Sequence, residues 1–260
     1  AARRGRAVSP AWRDRLLLTA ALVAAGAGWG LGQPMAKIAV SEGYRHVGIV
    51  FWQFALGALF LGLLTLARGR RLPLGRRHLR LYAIIAVIGT LVPNAASYEA
   101  ARHLPSGWLS VVISTVPLFS FAIAMSLGMD RFTWPRVAGL LAGLGGVACL
   151  ALPLEAWLTG AAPVGALPLS ALVWLPLGLV APLLYGCEGN YVARFGTEGL
   201  DPVRVLLGAS LVGMCLAAPL AVATGEWIAP LPPWGAPDAA ILVSSTVHAS
   251  VYAAYVWLVG

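Results

Sequence analysis

A lone lysine, a histidine, a carboxylate and a set of amides and tyrosines are the groups in this chain that could do chemistry within otherwise apolar surroundings. Lys37, the only lysine, closes the run Trp29-Gly30-Leu31-Gly32-Gln33-Pro34-Met35-Ala36-Lys37. Polar and helix-breaking residues at that density are expensive against lipid, so they are expected to face a cavity or a partner helix. His248 falls well inside a later apolar stretch, where an imidazole could carry a coupling proton or bind a solute, or sit neutral against a neighbouring Ser or carbonyl. Glu188 and Asn190 share another stretch. Glu188 could alternate between a proton and a substrate amine, or pair with Arg194, or snorkel. Lys37 and Glu99 lie near the outer ends of their helices, where they form an outer gate if they pair and snorkel separately if they do not. Gln33 stands one turn before Lys37, and Asn94 and Tyr98 stand one turn apart; with Gln53 they are candidates to line a cavity or to hold helices together. Trp29 and Trp52 read as an aromatic wall for a solute or as core packing.

Holding such groups in place requires helices that cross a bilayer. Hydrophobic residues make up 59% and charged residues 11% of the 260-residue chain, with a mean hydropathy of +0.81. That is the composition of a polytopic membrane protein. Segments of about 20 apolar residues, separated by polar or Pro-containing breaks, predict eight spans at 16–38, 47–67, 81–101, 108–128, 135–153, 171–192, 203–224 and 239–260.

Residues 1–15 carry five arginines and read as a cytoplasmic N-terminal segment. The apolar stretch behind them is too long for a signal-peptide core and lacks a cleavage boundary, so a retained first helix is expected. With that end inside, 15 of the 18 Lys and Arg fall on the cytoplasmic side, against Arg45 and Arg102 outside and Lys37 in the membrane. The positive-inside rule selects this orientation. The formal charge of +8 then reflects topology. The Arg cluster at 68–80 is a short loop that calls for anionic lipid headgroups and no nucleic acid. Cys149, Cys187 and Cys215 lie inside spans with no neighbour at metal-ligand spacing. No phosphate-cradling loop, zinc helix or nucleophile elbow occurs, so no metal or cofactor is expected. The ladders Gly26/Gly30, Gly28/Gly32 and Gly139/Gly143 predict close helix contacts.

Residues 154–170 interrupt the series after five spans and read as an extracytoplasmic linker between two halves, 16–153 and 171–260. Trp29-Gly30 followed by Lys37 is echoed by Tyr185-Gly186 followed by Arg194, and Leu66-Ala67-Arg68-Gly69 by Val222-Ala223-Thr224-Gly225. An odd number of spans in the first half starts the second from the opposite side, so a repeat here is an inverted one.

The chain resembles the drug/metabolite transporter superfamily, and within it the EamA branch of ten-helix carriers. The resemblance rests on Trp29-Gly30 with Lys37, Gly89-Thr90, Pro117 after the run 110–116, and Gly139 followed by Gly145-Gly146-Val147. It implies an all-α bundle of two inverted five-helix repeats around a central cavity, and export or exchange of small metabolites, amino acids or toxic compounds. Members often carry Arg where this chain has Gln53, which weakens the case for an anionic substrate, and a Gly-Glu pair where it has Gly128-Met129-Asp130. Matching halves would require two further spans beyond Gly260; a natural eight-helix form is the alternative. The expected function is a secondary transporter working by alternating access, driven by protons or a counter-solute, in a bacterial cytoplasmic membrane. The competing expectation is an integral-membrane enzyme or a lipid-handling scaffold. No convergent acid/base or metal set in the loops supports an enzyme.

Overall fold

The computed structural model describes residues 19–20, 23–24, 26–28, 30–41, 44–151, 169–229 and 232–259, and among them there are helices and turns but no strand. Helix α1 covers Gly32–Ser41 and α2 His46–Ala67. Helix α3, Arg76–Ala86, runs through a π-helical turn, Val87–Leu91, into α4, Val92–His103. Then come α5 (Ser106–Ile113), α6 (Val116–Ser126) and α7 (Trp134–Ala151). A short 3₁₀ segment, Leu169–Trp174, leads into α8 (Leu175–Phe195), followed by α9 (Pro202–Ala223) and α10 (Ala236–Val259).

Among the described residues, five stretches are long and apolar enough to cross a bilayer: His46–Ala67, Arg76–His103, Ser106–Ser126, Ser170–Phe195 and Pro202–Ala223. They coincide with the expected second, third, fourth, sixth and seventh spans. The third begins five residues earlier than hydropathy placed it, because Arg76, Arg77 and Arg80 extend the helix beyond its apolar part. Of the other three expected spans, the first lies partly outside the described residues, and the fifth and eighth are helical as α7 and α10. Residues 1–15 and most of the linker 154–170 lie outside the described residues.

Helix ends follow from local chemistry. Asp201 caps α9 by accepting from Arg204 N at 3.1 Å. At the far ends of α2 and α9, Gly69 and Gly225 adopt φ of +62° and +70°, which a glycine tolerates and a side chain resists.

Helices α2 and α9 form the centre of the bundle and pack antiparallel along their length. A Cβ on Gly57 would meet Ser210 Oγ at 3.2 Å, and one on Gly213 would collide with the Phe54 ring. Leu61, Val203 and Leu207 close the same seam. Helix α3 lies on α9 with Gly208 against the Tyr82 ring, α8 packs on α4 and α6, and α10 packs on α1 and α2. The outward face of α2 keeps Leu59, Leu63 and Leu66 more than half exposed, as suits a surface turned to lipid. The glycine ladders behave differently from expectation. Among the described residues nothing lies within 4 Å of a Cβ placed on Gly26, Gly30, Gly139 or Gly143. Close approach is marked instead by Gly48, Gly57, Gly186, Gly208 and Gly213, since a four-residue glycine spacing says nothing about which face a neighbour occupies.

Candidate functional site

The site is built on the irregularity of the third span. Pro93 has no N–H to offer Gly89 O, so the α-helical ladder cannot run through it. The backbone widens into the π-helical turn, in which Val92 N bonds Val87 O. Such turns leave carbonyls under-used and recur at functional positions. Gly89 sits in the middle of this turn. A Cβ there would stand 2.5 Å from Glu188 Oε1 and 2.6 Å from Glu188 Cδ, so the carboxyl of α8 lies directly on bare backbone. Among the described residues no hydrogen bond or ion pair holds that carboxyl. The Glu188–Arg194 pair weighed above does not form: Arg194 donates to Leu127 O at 3.0 Å and lies over the Phe195 ring.

A chain of polar side chains crosses the bundle beside this carboxyl. Gln53 Nε2 donates to the Tyr98 hydroxyl, Asn94 Nδ2 donates to Gln53 Oε1 at 2.9 Å, and the Tyr185 hydroxyl donates to Asn94 Oδ1 at 2.5 Å. Helices α2, α4 and α8 are thereby joined through partly buried polar side chains that satisfy one another. Gln53, Asn94 and Tyr98 are brought together as one unit. Tyr185, which the sequence offers only as half of an aromatic-Gly echo, completes it, and it stands one turn from Glu188 on the same helix. A carboxyl flanked by amide and phenol groups is suited to an ammonium group and to hydrogen-bonding substituents next to it.

Other candidates fall elsewhere. Asn190 donates to Ser120 O at 2.9 Å, Ser120 Oγ at 3.2 Å and Gly186 O at 2.8 Å, where a Cβ on Gly186 would touch Ser120 N at 3.0 Å. It ties α8 to α6 as interhelical glue. Trp52 turns away from Gln53, donates to Ile228 O at 2.9 Å and helps line a cavity of about 130 Å³ with Leu56, Trp234 and Ile241. Trp29 and the side chains of Gln33 and His248 lie outside the described residues.

Lys37 and Glu99 are engaged separately rather than as a pair. Lys37 Nζ donates to Ala101 O at 2.6 Å and Leu104 O at 3.3 Å, binding the orphan carbonyls that end α4. Glu99 accepts from Arg102 at 3.1 Å, lies 3.4 Å from His103 Nε2 and lies 3.2 Å from His46 Nδ1. His46 also stands 3.8 Å from Glu226, whose Oε2 accepts from Val47 N at 2.9 Å. This cluster escaped the sequence reading because Glu226 and His46 sit at loop-helix junctions with no periodicity to mark them. Among the described residues no three His, Cys, Asp or Glu side chains converge as a metal site.

A sequence model of the EamA-like transporter family matches residues 16–152. A protein of Streptantibioticus cattleyicolor named "Probable terminal-alkyne amino-acid exporter" is 26% identical over 263 residues, spanning 92% of this chain and 84% of its own. One solved crystal structure superposes with a TM-score of 0.63 over 92% of this chain and 79% of that one, at 18% identity, so the fold is shared with it.

Proposed function

The chain belongs to the EamA-like transporter family, and on that premise we propose that it exports a small amine-bearing metabolite of the amino-acid class by alternating access between two inverted repeats. Family membership and the exporter-named relative point to a membrane transporter of small solutes rather than an enzyme.

The observation that carries the solute class is Glu188, a carboxyl without a hydrogen-bond or ion-pair partner among the described residues, resting on the π-helical turn beside Tyr185, Asn94 and Gln53. An isolated carboxyl at membrane depth is costly unless it has a task, and exchanging a proton for a substrate ammonium is a task it is equipped to do. Ion coupling through Glu188, with His248 on α10 as a second candidate, belongs to the same proposal.

Internal symmetry supports the repeats. The two sequence echoes lie 156 positions apart, Gly30 with Gly186 and Gly69 with Gly225. The same offset maps the Gly57–Ser210 contact onto the Gly213–Phe54 contact. It also exchanges the packing of α8 on α4 with that of α10 on α1. A two-fold relation within the membrane plane is the geometry from which rocking carriers are built.

The test is to compare metabolites inside and outside cells producing the wild type, Glu188→Gln or no carrier. A solute moved outward only by the wild type supports the proposal. Identical profiles, with protein verified in the membrane, overturn it.

A further inference from the structure

Helices α2 and α9 end in the same turn. Gly69 N bonds Leu66 O at 2.9 Å and Arg70 N bonds Thr65 O at 3.1 Å; Gly225 N bonds Val222 O at 3.2 Å and Glu226 N bonds Ala221 O at 2.8 Å. Arg70 and Glu226 therefore occupy one position in two copies of one motif, at opposite ends of an antiparallel pair. Each reaches the start of the other helix. Glu226 Oε2 accepts from Val47 N in the first turn of α2, and Arg70 lies 3.2 Å from Asp201, the cap of α9.

The two contacts differ in strength. The Glu226 side chain is 6% exposed, and its carboxylate meets the positive end of a helix with His46 beside it. The same segment is pinned twice more, by Trp52 donating to Ile228 O and by Gly48, where any Cβ would collide with Glu226 O. Arg70 is 55% exposed and shares Asp201 with Arg204. An exposed ion pair contributes little, whereas separating a buried carboxylate from its donors leaves it stranded.

We propose that Glu226 and Arg70 are twin positioning residues, one at each end of the α2–α9 pair, whose clasps release in turn, and whose unequal strength biases the resting chain to open at the Arg-rich end. By the positive-inside orientation that end is cytoplasmic, where an exporter collects its solute. The inference rests on the carrier reading for its purpose, but its geometry is tested without any solute.

Spin labels placed on Arg45→Cys and Trp227→Cys report on the Glu226 end, and labels on Arg71→Cys and Glu198→Cys report on the Arg70 end, with Cys149, Cys187 and Cys215 replaced by Ala. In otherwise unchanged protein in lipid nanodiscs, the first pair should give a narrow distance distribution and the second one at least twice as wide. Glu226→Ala should more than double the width at its own end and narrow the distribution at the far end. A residue of purely local importance would leave the far end unmoved. Glu226→Gln, which keeps an acceptor for Val47 N, should act in the same direction more weakly and serves if the Ala variant does not fold. Equal widths at both ends, or an unchanged Arg70 end in both Glu226 variants, would overturn the proposal. A chain that moved no solute would leave these distances standing and would refute only the carrier reading.

Discussion

Glu188 lies against the bare Cα of Gly89, with its carboxyl in the space that any larger residue at 89 would occupy. The relation joins two halves of the chain through a glycine in a π-helical turn. It makes Gly89 a positioning residue for the carboxyl on α8.

Gly89→Ala should therefore behave like Glu188→Gln. A methyl group 2.5 Å from Oε1 forces the carboxyl aside, and efflux is expected to fall on the order of tenfold, the factor that about 1.4 kcal/mol of lost interaction produces. The check is efflux at matched protein levels in the membrane. Full efflux from Gly89→Ala would show that the placement of the carboxyl does not matter.

Gln53→Leu should strip Tyr98 of its donor and Asn94 Nδ2 of its acceptor together, because among the described residues Gln53 bonds to both, while Tyr185 still bonds Asn94 Oδ1. The expected cost is about 1–2 kcal/mol, toward the upper range for polar contacts in membrane bundles. Gln53→Glu keeps an acceptor for Asn94 and should recover part of the loss. Unfolding in graded detergent mixtures measures both.

Asn190→Ala should separate structure from transport. Its bonds to Ser120 O and Oγ fix α8 on α6, and its bond to Gly186 O stays within α8. A loss of about 1 kcal/mol of stability is expected, with the identity of the exported solute unchanged. A changed solute profile would place Asn190 in the solute path.

Asp201 gives the Arg70 end a pH dependence. Partial burial on its own raises the carboxyl's pKa, but hydrogen bonds from the Arg204 side chain and backbone, with the charges of Arg204 and Arg70, outweigh it and hold the pKa below the ordinary carboxylate value. A depressed folded-state pKa means stability that is present above the unfolded value and lost as pH falls through the folded one. Melting curves taken from neutral pH down through the carboxylate range should fall less steeply for Asp201→Asn than for the wild type. Parallel curves would contradict this.

Much of the fold is legible in the sequence because lipid imposes one rule. Uninterrupted apolar stretches must be helices, so the spans around Phe54, Ile85, Phe121, Ala181 and Leu207 can be read directly. The grouping of Gln53, Asn94 and Tyr98 is half legible. Spacing puts Asn94 and Tyr98 on one face, but only the packing of α4 against α2 and α8 brings Gln53 and Tyr185 to them. Lys37 and Glu99 illustrate the limit of reasoning from depth alone. Both are found near a helix end in the same region, yet the carbonyls that finish α4 compete successfully for the ammonium, and Arg102, one turn from Glu99, takes the carboxylate. Depth restricts partners; it does not choose among them.

The most direct measurement uses purified protein in vesicles loaded with an isotope-labelled mixture of amino acids, with efflux read by mass spectrometry for the wild type, Glu188→Gln and protein-free vesicles. The account predicts that at least one amine-bearing solute leaves wild-type vesicles faster than the other two, and that an imposed pH gradient changes that rate only in the wild type. Equal release from all three, or full and pH-dependent release through Glu188→Gln, would contradict it.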